Sequence, residues 1–325
     1  MSPARLALDR RRVLLAAVAA ACTPAFAQQR FPPRQISIVI PFAAGGPGDA
    51  LARLIAEDWQ AGFGIPVIVD NRPGAGTMLA TRLVATGPKD GSMVLLNLSS
   101  MLTNSLLYAK PGYDPLTMAP VTQITEAGTV LIARASLGVN NLQEYLELAR
   151  KSPGKVSYGS WGIGSSAHLF GEMLAEGGQV NLLHVPYKSE TPAVQDLLGG
   201  SVDAAFVAPG TYRSLAGKVR AMAVTGPRRN SLIGEVPTFL ESGIRGPEVH
   251  GWIGMFAPPG TPPEVVGRMN ARIAALLARP EVKTRFSDGF GFEPVGNSEA
   301  QFTEIIKTDL AVWRRTISRL KIQLD

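Results

Sequence analysis

Cysteine is almost missing from this chain: Cys22 is the only one. It falls inside an N-terminal stretch that reads as a removable leader. The remaining chain then has no thiol, which excludes disulfides, cysteine metal sites and cysteine nucleophiles together. Histidine is nearly as scarce. His168, His184 and His250 are scattered without metal-ligand spacing, so no metal and no cofactor is expected. Long apolar runs are absent too: outside the leader no segment has 18 consecutive apolar residues, and no membrane-spanning helix is expected. There is no repeat, no low-complexity tract and no long basic run. The net charge of +6 falls to +3 once the first 27 residues are set aside, which is too mild to argue for nucleic acid as a partner.

What is present is an ordinary globular mixture, 46% hydrophobic and 18% charged, in 325 residues, enough for two domains. The leader has the three parts of an export signal. Arg10, Arg11 and Arg12 are its basic region, residues 13–21 its apolar region, and Ala25-Phe26-Ala27 its cleavage site. The apolar part is far shorter than the roughly 20 residues that span a bilayer. Residues 1–27 are therefore expected to be removed near Ala27, with the mature chain in the periplasm. The arginines leave the Sec and twin-arginine routes open, and the poor fit of the flanking residues favours Sec. Ala19, where lipoproteins usually carry leucine, argues against lipidation of Cys22.

The mature chain alternates strand, glycine turn and helix. A β-branched run at 36–41 leads through the turn 43–48 into a helix over 49–61, with Asp49 as a natural N-cap. A strand at 66–69, the turn 73–77, a helix over 78–86 and a strand at 93–98 follow. Strands at 128–133, 156–159, 182–185, 204–207 and 219–224 form a second set. Between them lie a helix from Asn141 to about 151 and one from Ser165 to about 176. This alternation predicts parallel sheets with crossover helices in two α/β domains. The end is helical, from Pro262-Pro263, from Pro280 and from Ser298, with apolar stripes that read as core packing.

Three glycine turns, at 43–48, 73–77 and 159–165, stand between a strand end and a helix start. Free backbone N–H groups and the helix dipole make such turns anion sites, although many are only structural. Three of them, from both domains, favour a shared anion site in a cleft. Nucleotide motifs fail on spacing: no G-x-G-x-x-G and no G-x-x-x-x-G-K-[ST] occurs. A hydrolase reading fails as well. Neither Ser165 nor Ser166 has a glycine two residues on, and His168 would not face Ser166 on a helix. A capping serine and a helix-start histidine explain that segment, so no catalytic residue is assigned.

Several stretches become specific in combination. They are 38–42 with Gly45, Gly46 and Asp49; Val69-Asp70-Asn71-Arg72-Pro73-Gly74-Ala75-Gly76; 158–160 with 164–169; His184-Val185-Pro186-Tyr187-Lys188; 196–200; 221–226; 235–238; and 256–263. In this order and spacing the chain resembles the Bug-type periplasmic solute-binding proteins of tripartite tricarboxylate transporters. The resemblance implies an α/β, two-lobed Venus-flytrap fold of the type II-like class, with the ligand between the lobes. It implies lobe 1 at 28–127 plus 251–325 and lobe 2 at 128–250. It also implies a small carboxylate ligand: a di- or tricarboxylate, an aromatic acid or an acidic amino acid. The partner would be integral membrane permease subunits, or instead the periplasmic domain of a signalling receptor. The chain itself would be a monomer without enzymatic activity, and a periplasmic hydrolase is the remaining alternative.

Carried over residue by residue, the resemblance places Phe42, Ala43, Ala44, Gly45, Gly46 and Asp49 at the ligand, with Ala75, Gly76 and Thr77, then Ser99 and Ser100. From lobe 2 it implies Ser160, Trp161, Gly164, Ser165, Ser166 and His168, then Tyr187 and Lys188, with Asp203 and Ala208 in the far wall. Departures from the family pattern matter. Trp161 and Met78 stand where smaller residues are usual and would make the pocket less polar, suiting an aromatic acid. Trp161 could otherwise point to solvent at the cleft rim. Glu190 could pair with a ligand cation or be a solvated loop residue.

Overall fold

The computed structural model describes residues 31–324, apart from Ala43, Gly46, 246–248 and Gly291, with the backbone alone at Pro47, Ala75, Ala127 and 288–290. The expected export signal, Cys22 included, lies outside the described residues.

Strand β1 (Ile36–Ile40) is β-branched throughout except for Ser37, and its four isoleucine and valine side chains are fully buried. That is the mark of a strand covered on both faces. Helix α1 (Pro47–Phe63) follows, then β2 (Val67–Asn71), a short 3-10 turn (Ala75–Thr77), α2 (Met78–Ala85), β3 (Met93–Leu98), α3 (Ser100–Leu107) and β4 (Ala119–Ala127). The chain then crosses to a second sheet through β5 (Val130–Arg134), α4 (Leu142–Lys151), β6 (Ser157–Ser160), α5 (Ser166–Gly178), β7 (Leu183–Pro186), α6 (Glu190–Gly199), β8 (Ala204–Val207), α7 (Pro209–Ser214) and β9 (Val219–Val224). It returns through β10 (Gly251–Ala257), α8 (Pro263–Leu277), α9 (Pro280–Thr284), β11 (Glu293–Pro294) and the long α10 (Glu299–Leu320).

The first sheet has the order β11-β4-β10-β3-β1-β2 and the second β7-β6-β8-β5-β9. Both are mixed rather than parallel. β1 pairs parallel with β2 and β3, and β6 with β7 and β8, as the alternation predicts. The strands next to the crossings run the other way: β10 is antiparallel to β3 and β4, and β5 to β8 and β9. Here the strands that flank the crossings supply the antiparallel pairs, and local periodicity does not announce them.

At the crossings Thr129 and Thr225 are tied twice. The Thr225 N–H donates to the Thr129 carbonyl at 2.9 Å, and the Thr129 N–H donates to the Thr225 hydroxyl at 2.9 Å. The C-terminal helix binds the halves together elsewhere. Trp313 of α10 packs on Phe170 of α5 with ring centroids 5.7 Å apart, and Arg319 pairs with Glu176 at 2.9 Å. The expected caps are in place: Asn141 accepts the Glu144 N–H, Ser165 the His168 N–H, and Ser298 forms a capping box with Gln301. Asp49 differs. The helix begins two residues earlier at Pro47, so Asp49 lies inside its first turn.

Candidate functional site

In open α/β sheets ligands bind beyond the carboxyl ends of the parallel strands. Here the ends of β1, β2, β3 and β6 carry most of the expected residues.

In the first half, Asp49 is 3% exposed and its carboxylate is fully engaged. It accepts from the Gly45 N–H at 3.0 Å, from Arg53 at 2.8 and 3.1 Å, and from Asn71 Nδ2 at 3.0 Å. The Arg53 hydrogen bonds, with that of Gly45, hold its pKa down to about 2. Asn71 Nδ2 also donates to the Phe42 carbonyl at 3.0 Å. Asp49 thus organises the first turn, and the Gly45 amide is already spent on it. Ala44 and Gly45 are exposed, Phe42 is half-buried, and Ala43 and Gly46 lie outside the described residues.

The second turn is different. Thr77 has φ of 84°, a left-handed conformation rare for a β-branched residue. Neither Thr77 at the cap of α2 nor Ser99 at the cap of α3 uses its side chain as a cap. The hydroxyls of Thr77 and of Ser100 are buried without a hydrogen-bond partner among the described residues. The turn packs against α3, where Asn104 Nδ2 donates to the Gly76 carbonyl. Ser99 is 6% exposed, and its N–H donates to the Trp252 carbonyl at 2.9 Å. Met78 is 4% exposed, so its thioether is enclosed rather than open to solvent.

In the second half the polar groups satisfy one another. Ser160, fully buried, places its hydroxyl 2.6 Å from His184 Nε2. His184 is stacked between Tyr158 (centroids 5.0 Å) and His168 (4.1 Å). Desolvation, aided by His168, pushes the pKa of His184 down to about 4, and desolvation also lowers His168 against the opposing pull of Glu172. Both rings are therefore neutral near pH 7. His168 Nδ1 accepts the Gly164 N–H at 3.2 Å, which fixes its tautomer with the proton on Nε2. Ser165 donates to the Gly162 carbonyl at 2.7 Å while capping α5. A methyl at Gly164 would stand 2.7 Å from a Leu324 methyl and 3.2 Å from one of Leu107, so this turn needs glycine for space as well as for its φ of 80°.

Trp161 does not hang free at a rim. It is half-buried, packs on the core and donates its Nε1–H to the Phe206 carbonyl at 3.0 Å. Ile163, two residues on, is 57% exposed. Tyr187 donates to Asp196 at 2.7 Å, while Lys188 is exposed and Ser166 half-buried.

Three expectations need correction. Asp203 precedes β8 and is bound to Arg134 (2.8 Å) and to the Ser157 N–H and hydroxyl (2.9 and 3.0 Å), at the amino ends of β6 and β8. The carboxyl ends carry Ser160 and Ala208, so Asp203 lies at the other end of the sheet. Glu190 is no solvated loop residue. It accepts from the Ala208 N–H at 2.9 Å and from the Thr211 hydroxyl, and burial raises its pKa. It opens α6 and braces the start of α7, which also uses up the Ala208 amide. Asp49, finally, braces the first turn from within α1.

Residues 51–322 match the tripartite tricarboxylate transporter family receptor. The chain belongs to that family. A UPF0065 protein of Pseudomonas sp. (strain P51), from the tcbD-tcbE intergenic region, is 36% identical over 325 residues, covering 98% of this chain and 96% of its own. The solved periplasmic binding protein BugD is 36% identical, with a TM-score of 0.78 over 90% of this chain and 99% of that one. The R. palustris protein Rpa4515, solved with adipate, is 32% identical, with a TM-score of 0.81 over 90% and 99%. The two-lobed α/β fold of this receptor is that of the periplasmic binding proteins. The family is one of solute-binding proteins rather than of enzymes.

Proposed function

We propose that this receptor captures a small carboxylate in the periplasm and delivers it to integral membrane permease subunits of a tripartite tricarboxylate transporter. Residues 1–27 would direct export and be removed near Ala27. Lobe 1 would comprise 28–127 with 251–325, and lobe 2 would comprise 128–250. The observation that carries the reading is the pair of uncapped helix starts at Thr77 and Ser99–Ser100, with idle hydroxyls on Thr77 and Ser100 beyond the ends of β2 and β3. Helix N-termini stabilise negative charge, and neutral donors bind an anion without a buried counter-charge to desolvate. The adipate held by the related Rpa4515 supports the ligand class.

The test is a thermal-shift titration of the protein from residue 28 onward against di- and tricarboxylates, aromatic acids and acidic amino acids. A ligand at 100 times its Kd adds about 2.7 kcal/mol of stability. Stabilisation by a carboxylate that is recovered unchanged bears the reading out. No shift with any carboxylate overturns it.

A further inference from the structure

The segment that returns the chain from the second sheet to the first leaves β9 at Val224 and enters β10 at Gly251. Gly226 stands at one end of it and His250 at the other, and the two are in contact. A Cβ at Gly226 would meet Nδ1 of His250 at 2.5 Å and Cε1 closer still. Gly226 also has φ of 101°, so the position needs glycine both for the ring beside it and for its backbone. The outgoing crossing runs alongside, since Gly251 pairs with Ala127 and Thr225 is tied to Thr129. The imidazole of His250 is therefore packed into the place where the two sheets are joined.

Its polar atoms are not satisfied there. Neither ring nitrogen reaches solvent, and neither has a hydrogen-bond partner among the described residues. The other two histidines differ: His184 has the Ser160 hydroxyl and His168 the Gly164 N–H. An imidazole always carries at least one N–H donor, so an unpaired buried ring is costly, and most costly when charged. Burial pushes the pKa of His250 down; Glu126 opposes this, Arg228 adds to it and Glu293 opposes it.

Those three charged residues fasten the joint. Glu126 of β4 and Glu293 of β11 stand opposite each other in register, an unfavourable pairing of like charges that Arg228 offsets, 3.6 Å from Glu126. Glu293 also accepts the N–H and the hydroxyl of Ser231, at 3.0 and 2.7 Å, in the 3-10 turn 231–233 that follows β9. These two hydrogen bonds join the edge of the first sheet to the second half of the molecule.

We propose that His250 makes the crossing a pH-sensitive hinge: on taking up a proton its ring leaves Gly226 for water and for Glu293, Glu293 releases Ser231, and the two halves move about the crossing. A hinge needs only a few residues to absorb such a motion. The described conformation excludes the proton, so it is favoured above the ordinary histidine pKa of 6.5 and loses ground as the pH falls through 6.5. Between pH 7.5 and 5.5 one such group can change the ratio of the two conformations by at most about tenfold. The device goes beyond the carboxylate reading and needs no ligand to operate.

The test uses the ligand-free protein from residue 28 onward, which has no cysteine of its own. Spin labels are attached through Gln60→Cys and Lys151→Cys, exposed positions on α1 and α4, and the distance distribution between them is recorded from pH 8 to pH 5. A second distance population is expected to grow as the pH falls, by about tenfold relative to the first between pH 7.5 and 5.5. His250→Gln is expected to abolish the change, and His184→Gln, which touches only the stack beside β6, to leave it intact. Because the chain has three histidines, each ring can also be followed by NMR in the unlabelled wild type, where His250 is expected to titrate below its ordinary value and in step with the distance change. A distribution that does not respond to pH overturns the proposal, and so does a response that survives His250→Gln. If that variant does not fold, the wild type decides alone: a distance change out of step with the titration of His250 overturns the hinge.

Discussion

The hydroxyl of Ser160 lies 2.6 Å from Nε2 of His184, at the carboxyl end of β6. A serine that close to a histidine suggests a nucleophile and its base, but the surroundings give the pair a different use. Ser160 has no exposed surface, and its hydroxyl also accepts the Gly162 N–H at 3.2 Å. Behind it the rings of Tyr158, His184 and His168 are stacked, and His168 holds Gly164. The result is a rigid support for the turn at 159–165, so the site proposed there would need little reordering when its ligand arrives.

That support depends on neutral imidazoles. The pKa of His184 is depressed from 6.5 to about 4, so between those values the unfolded chain binds a proton that the folded chain refuses. Stability from this source is complete above pH 6.5 and is lost progressively as the pH falls toward 4. Melting temperatures recorded from pH 8 to pH 4 should decline over that window, and His184→Gln should flatten the decline. An unchanged slope in the variant would assign the acid sensitivity to other groups.

Asp309 works in the opposite direction. It is 8% exposed and accepts the Trp252 Nε1–H at 2.7 Å, but burial, with help from Glu126, raises its pKa to about 6 from 3.8. The folded protein favours the protonated acid, so its contribution is present below pH 3.8 and lost as the pH rises through 6. Asp309→Asn keeps an acceptor for Trp252 and removes the charge. Each tenfold change in proton affinity between the folded and unfolded chain corresponds to about 1.36 kcal/mol, so the variant should be more stable at pH 7.5 by up to about 3 kcal/mol in urea unfolding. A destabilised variant would mean that the charged form is the favoured one.

The crossing between the sheets depends on the Thr225 hydroxyl, which accepts the N–H of Thr129; both residues are buried. Thr225→Val leaves that N–H unpaired and should cost about 1–3 kcal/mol, while Thr225→Ser should cost much less. Equal losses in the two variants would point to packing rather than to the hydrogen bond.

Glu190 separates bracing from ligand recognition. Its carboxylate accepts from Ala208 and Thr211, so Glu190→Gln keeps the acceptor and should leave ligand affinity within about twofold. Glu190→Ala strands the Ala208 N–H and should lower the melting temperature by an amount matching about 1–3 kcal/mol. A large loss of affinity in Glu190→Gln alone would show that the ligand carries a cation.

Much of this architecture is legible in the chain. β3 and β8 lie where the apolar runs put them, and Asn141, Ser165 and Ser298 cap where their positions suggest. The missing elements share a cause. β4 contains Thr122, Gln123, Thr125 and Glu126 and carries no apolar run to mark it, yet Thr122 and Gln123 are buried because Asn297 supplies their hydrogen bonds at 2.7, 2.9 and 3.0 Å. Asn297 is 174 residues from Gln123, out of reach of any local pattern. Helix α3 is masked by its serine, threonine and asparagine. The glycine turns lie at the strand ends where the sequence puts them, but the sequence does not say which amides are already taken. Asp49 spends the Gly45 amide and Glu190 that of Ala208, and Asp203, carried over with the resemblance, sits at the amino end of β8 with Arg134 and Ser157.

The position of β10 in the first sheet sets an order of events in time. It lies between β3 and β4, and β4 has only β10 and β11 as neighbours. Until residues 251–257 have emerged from whatever releases the chain, β3 has an open edge and β4 has no partner at all. The second sheet draws every strand from residues 130–224, and the end of β9 is then bridged by residues 237–239, all ahead of β10. Since chains are made from the N-terminus onward, the lobe that begins first is the one that closes last. A chain interrupted near residue 240 would keep one finished sheet and leave the other with bare edges.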